Sequence, residues 1–214
     1  MEIISPVIFG LIGLGIPTLI IAGIIYFIFK LRGGSSINLD FRSVIRGYFY
    51  IVILGSIGLT GFGGFANLIQ VGLGEMFGND FSYNIAHLVG GEHWNEVEAI
   101  RFYEREKKEI TIDGVSLTII GAIISAIHIF GRRRIETDEE RGALLHRIYL
   151  IAALSVFAIA TIAALVEGVP ETMRYVILND PENPSSPGEP LAIAVVALPI
   201  WIYYLRQTLR SIPN

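Results

Sequence analysis

Residues 114–131 read GVSLTIIGAIISAIHIFG, and Arg132-Arg133-Arg134 follow at once. The run is uncharged, and its length approaches the roughly 20 residues that carry a helix across about 30 Å of hydrocarbon. Its abrupt end in three arginines marks a helix leaving the membrane on the cytoplasmic side. Four further stretches have the same character: Pro6 to Phe29, Gly47 to Gly74, Ile148 to Val166 and Pro190 to Leu205. Together they predict an all-α, polytopic transmembrane helical bundle of five spanning helices. Only 17% of the 214 residues are charged and the mean hydropathy is +0.58, which leaves too little polar surface to coat a soluble domain.

The loops set the orientation. Lys30, Arg32, Arg42 and Arg46, then Arg132, Arg133, Arg134, Arg141 and Arg147, then Arg206 and Arg210 all fall on one side of the alternation. The other side carries Arg101, Arg105, Lys107, Lys108 and Arg174, most of them among acids. Lys and Arg near helix ends mark the cytoplasm, so the N-terminus is expected outside and the C-terminus inside, in the inner (cytoplasmic) membrane as a multi-pass protein. The first stretch follows Met1-Glu2-Ile3-Ile4-Ser5 without a basic region and is expected to remain as a spanning helix. Tyr48, Tyr50, Tyr149, Trp201, Tyr203 and Tyr204 fall at the cytoplasmic interface and read as an aromatic belt.

Three segments organise the chain: 1–43, an anchor helix with a cytoplasmic linker; 44–134, a first hairpin with an acidic outer loop; and 135–214, a second hairpin with a Pro-rich outer loop. Arg46-Gly47-Tyr48-Phe49-Tyr50-Ile51 resembles Arg147-Ile148-Tyr149-Leu150-Ile151, and Asn79-Asp80 parallels Asn179-Asp180. A parallel duplication of the hairpin would produce this likeness. So would the positive-inside rule and the aromatic belt acting on unrelated helices. On the outer side, His93 to Glu109 has the period of a short amphipathic helix, Ile110 to Gly114 reads as an extended piece ending in a turn, and Pro170 to Leu178 as a short interfacial helix.

Ser56, Thr60, Gly63, Gly64, Asn67 and Gln70 recur mostly at intervals of three or four, on one face of the second span. Small and amide-bearing residues at that spacing pack helices together; the alternative use is a polar lining for an ion or solute path. Gly121 with Ser125, Ala122 with Ala126, and Ala160 with Ala164 invite the same packing. No Asp, Glu, Lys or Arg lies deep in any span, which argues against a proton-coupled transporter. His128 and His146 flank the short third connection, and two imidazoles on different helices would serve as axial ligands of a b-type haem; they would equally serve as interfacial residues bonded to backbone or lipid. His87, Glu92, His93 and Glu96 match no zinc spacing and read as a solvated cluster, so no metal is expected. Arg132, Arg133 and Arg134 would hold an anionic lipid head group. Without cysteine there is no disulfide or thiolate chemistry, and HExxH, GxSxG and phosphate-binding glycine motifs are missing, so no catalytic residue is assigned and no enzyme is expected. No basic run is interleaved with aromatics as nucleic-acid binding would require.

Across Gly121 to Arg134, Glu139-Glu140-Arg141 and Arg147-Ile148-Tyr149-Leu150, the chain resembles a family of uncharacterised bacterial polytopic membrane proteins, classed as a domain of unknown function. That family is built of tandem hydrophobic helices with an aromatic-histidine-arginine helix end and an arginine-tyrosine helix start. The likeness covers residues 44–210. Pro199-Ile200-Trp201-Ile202-Tyr203-Tyr204 resembles a second copy of the helix end with tyrosine in place of histidine, a departure that counts against a ligand role shared by both copies. The resemblance implies an architecture and supplies no reaction. The expectation is a non-catalytic integral membrane protein without cofactor, embedded in the lipid bilayer and packed against other membrane subunits or itself. The alternatives are a channel or facilitator, and a haem b-binding electron-transfer subunit.

Overall fold

The computed structural model describes residues 41–83, 96–137, 144–178 and 185–211. The first apolar stretch, His87, Glu92, His93 and the side chain of Glu96 lie outside the described residues. Five helices follow in order: α1 (Phe41–Phe77), α2 (Asn79–Ser82), α3 (Glu96–Ile135), α4 (Leu144–Ile177) and α5 (Gly188–Arg210). No strand occurs among the described residues, and α1, α3, α4 and α5 are long and apolar enough to cross a membrane. The start of α1 belongs to one compact unit, residues 1–47; the packing described below lies within the second, Tyr48–Asn214.

α1 is not a uniform helix. Leu59–Phe65, sequence LTGFGGF, winds as a π-helix between two α-helical segments. Such insertions are rare, and here the bare glycines let two neighbours approach at once. A side chain on Gly61 would meet Val196 and Ile200 of α5, while one on Gly63 or Gly64 would meet Leu117 or Thr118 of α3.

The sequence reading of an extended Ile110–Gly114 is corrected: α3 runs through it without a break. The Thr111 hydroxyl donates to the Lys107 carbonyl at 2.7 Å, closing the turn locally. Gly114 is there for close approach rather than for a bend, since a Cβ would lie 2.9 Å from Leu68 Cδ2 and 3.2 Å from Asn67 Cβ. Likewise Pro170 lies inside α4, which continues to Ile177 instead of yielding to a separate interfacial helix.

At about 1.5 Å per residue, α3 extends about 60 Å, twice the hydrocarbon thickness. Its charged first half therefore projects past the apolar run. Lys107 pairs with Glu75 of α1 and the Tyr103 hydroxyl donates to Asp80 of α2, tying that projection to the neighbouring helices. α2 is wedged beneath it by a reciprocal pair: Gln70 Nε2 donates to the Ser82 carbonyl and Ser82 Oγ to the Gln70 carbonyl, both at 2.8 Å. Beside it the buried Tyr83 phenol is pushed above its usual pKa, first by burial and then by the Glu106 carboxylate.

The core lies where α1, α4 and α5 meet, around Tyr50, Ile53, Tyr149, Leu150, Ala153, Phe157 and Tyr204. Phe157 stacks on Tyr204 with ring centroids 5.7 Å apart and an interplanar angle of 6°. Ala153 on α4 and Ala192, Ala194 and Ala197 on α5 are buried, small residues that let these two helices pack closely.

Candidate functional site

Two polar constellations lie within the apolar part of the bundle. The first is the small-residue face of α1. Ser56 Oγ bonds Ser125 Oγ of α3 at 2.7 Å and also donates to the Ile53 carbonyl at 3.0 Å, and Thr60 Oγ1 donates to the Ser56 carbonyl at 2.8 Å. Gly121 of α3 rests on the Thr60 backbone, Gly63 and Gly64 on Leu117 and Thr118, and Asn67 on Gly114. Gln70 is taken by Ser82. These residues therefore share one side, and α3 fills it from Ser56 to Asn67, so the face carries helix-to-helix contacts within a single chain.

The second constellation sits where α1, the end of α3 and the start of α4 converge, and it begins with Glu136. Its amide donates to the Arg132 carbonyl at 2.9 Å, so the chain winds one residue past α3 and keeps Glu136 one turn beyond Arg132. The carboxylate is buried. It accepts a hydrogen bond from the Tyr50 hydroxyl and lies 3.4 Å from Arg132 Nε. The Tyr50 hydroxyl is also 3.2 Å from His146 Nδ1. Because its single proton goes to the carboxylate, the imidazole N–H is the donor in that second bond. The Tyr50 ring stacks on Tyr149 at 4.7 Å and lies 5.3 Å below the Arg132 guanidinium. Tyr149 and Tyr204 join their hydroxyls at 2.7 Å, carrying the network across to α5.

This arrangement revises the aromatic belt. Tyr48 and Tyr203 are more than half exposed, as belt residues should be, but Tyr50, Tyr149 and Tyr204 are buried, with exposures of 3%, 9% and 3%. A buried phenol needs a hydrogen-bond partner, and each of these three has one. Sequence reasoning missed Glu136 as a member of the cluster. The available signal was an acid four residues after Arg132, at the spacing of a helical ion pair.

The two histidines are not brought face to face. His128 Nδ1 donates to the Ile124 carbonyl at 2.8 Å, and its Nε2 is 3.2 Å from the Tyr48 hydroxyl. His146 sits against Tyr50 and Tyr149 instead. Side chains two apart on a helix point about 200° from each other, so Tyr48 and Tyr50 hold the imidazoles on different flanks of α1. The arginine triplet also divides: Arg132 turns into the cluster, while Arg133 and Arg134 are exposed and Arg134 lies 4.4 Å over the Phe130 ring.

Helices of membrane-crossing length and apolarity define the class as a membrane-embedded all-helical protein. No protein-family model matches the chain, and no curated protein and no solved structure matches it.

Proposed function

We propose that this chain is a five-span protein of the inner membrane, N-terminus outside and C-terminus cytoplasmic, acting as a non-catalytic packing subunit of a homo-oligomer or a larger membrane assembly. The resemblance to tandem-hairpin membrane proteins belongs to the same proposal. One observation carries it: within its most apolar window α3 is only 11% buried, against 33% for each of α1, α4 and α5. Ile119, Ile123 and Ile127 point outward, with the exposed Ala122 and Ala126 one turn apart between them. Small residues at that spacing allow a further backbone to come close, and the isoleucines supply rigid surface to pack against it.

Purification in mild detergent tests the assembly. A species larger than one chain, or a stoichiometric partner, is expected, and A122L/A126L should reduce it. A monodisperse monomer with nothing co-purifying would refute the reading. Orientation has a separate test, because the chain contains no cysteine. A membrane-impermeant thiol reagent applied to intact cells should label K108C and spare R133C.

A further inference from the structure

A shallow apolar groove of about 280 Å³ runs between α1 and α5, lined by Ile57, Pro199, Ile200, Tyr203 and Tyr204. Along α5, Pro199, Tyr203, Arg206 and Arg210 follow at intervals of four, three and four, so they form one stripe, and all four are exposed. The stripe starts apolar at the groove and turns cationic within one turn of Tyr203. From Pro199 to Arg210 it spans about 16 Å along the axis. Among the described residues, neither arginine forms an ion pair with a carboxylate.

We propose that this stripe is a binding site for an anionic phospholipid, one acyl chain lying in the groove and the phosphate held between Arg206 and Arg210. Charge complementarity selects the occupant. Two guanidiniums at headgroup depth favour a net-negative lipid over a zwitterionic one, and the Tyr203 ring stands between groove and arginines, where an amphipathic side chain meets the glycerol region. An apolar peptide segment would leave both arginines unanswered. Arg133 and Arg134 also lie at the end of an apolar helix, but Arg134 rests on Phe130. The inference rests on the membrane placement proposed above and not on the assembly.

Trp201 follows the groove-lining Ile200 on α5, and Trp94 is the only other tryptophan. The W94F protein, reconstituted in phosphatidylcholine bilayers, therefore reports locally. Phosphatidylglycerol with brominated acyl chains should quench Trp201 at lower mole fraction than brominated phosphatidylcholine. Each arginine removed in R206Q and R206Q/R210Q should lower that preference about five-fold. R133Q/R134Q, with the same change of charge, should leave it intact. Equal quenching by the two lipids overturns the proposal, as does an equal loss in the two double variants. Relief of quenching by soluble glycerol phosphate also overturns it, by reassigning the arginines to free phosphates. Failure to insert into the bilayer would instead sink the membrane placement, and is seen separately by vesicle flotation.

Discussion

Replacing Gly121 by alanine places one methyl group where α3 rests on α1. A Cβ there would lie 3.0 Å from the Thr60 backbone nitrogen and 3.1 Å from the Ser56 carbonyl oxygen, inside ordinary van der Waals contact. Both atoms are main chain, so no rotamer change relieves the clash and the helices must move apart. Overpacking of this kind costs about 1–3 kcal/mol. Separation also lengthens the 2.7 Å bond between Ser56 and Ser125, so the upper half of that range is expected. Opposing it is alanine's helix preference over glycine, up to about 1 kcal/mol. G121A should therefore unfold more easily by about 1–2 kcal/mol net. The matched control is G72A in the same α1, where a Cβ meets nothing within 4 Å and only the propensity gain remains. Unfolding in detergent, followed by far-UV circular dichroism against added denaturing surfactant or temperature, gives the order G72A above wild type above G121A. G63A should fall between, because its obstacle is the movable end of Leu117 at 2.8 Å. G121A as stable as G72A would refute the claim that α3 lies on the small-residue face of α1.

Tyr50→Phe removes the phenol that donates to the buried Glu136, and a loss of about 1–3 kcal/mol is expected in the same assay. Y50F/E136Q should lose less than the sum of its parts, and strict additivity in that double-mutant cycle would contradict direct coupling. Tyr149→Phe or Tyr204→Phe alone should cost about 1 kcal/mol, with the double variant again cheaper than the sum, because it leaves no hydroxyl stranded. Lys107 and Glu75 are both substantially exposed, so Glu75→Gln should shift stability by less than about 1 kcal/mol; a larger loss would mean the pair is shielded from solvent.

Arg46, Arg132, Arg147 and Arg206 mark one end of each of four apolar runs, and the helices continue about four to six residues past those ends. The opposite ends were less legible. Ile110 to Gly114 carries a turn-like Asp113-Gly114 pair, yet the helix persists there because Gly114 is spent on contact with Leu68. The small-residue face of α1 was readable as a face, since its spacing is a local property. The π-helical turn within it was not, although Gly61-Phe62-Gly63-Gly64 marks a place where the helix loses its side-chain walls. The histidines were paired by their nearness along the chain, and the structure separates them because Tyr48 and Tyr50 leave α1 in different directions.

Length, apolarity and the placement of charge at helix ends are sums over neighbouring residues, and transfer into hydrocarbon depends on little else. That is why the sequence alone determined an all-helical, membrane-embedded protein. The rotation of each helix about its own axis is a different kind of quantity. It decides that Tyr50 is buried while Tyr48 is exposed, that Glu136 receives a phenol 86 residues away, and that Arg132 turns inward while Arg133 and Arg134 do not. Each of those outcomes depends on packing and polar partners from several helices at once, so only the tertiary structure decided them.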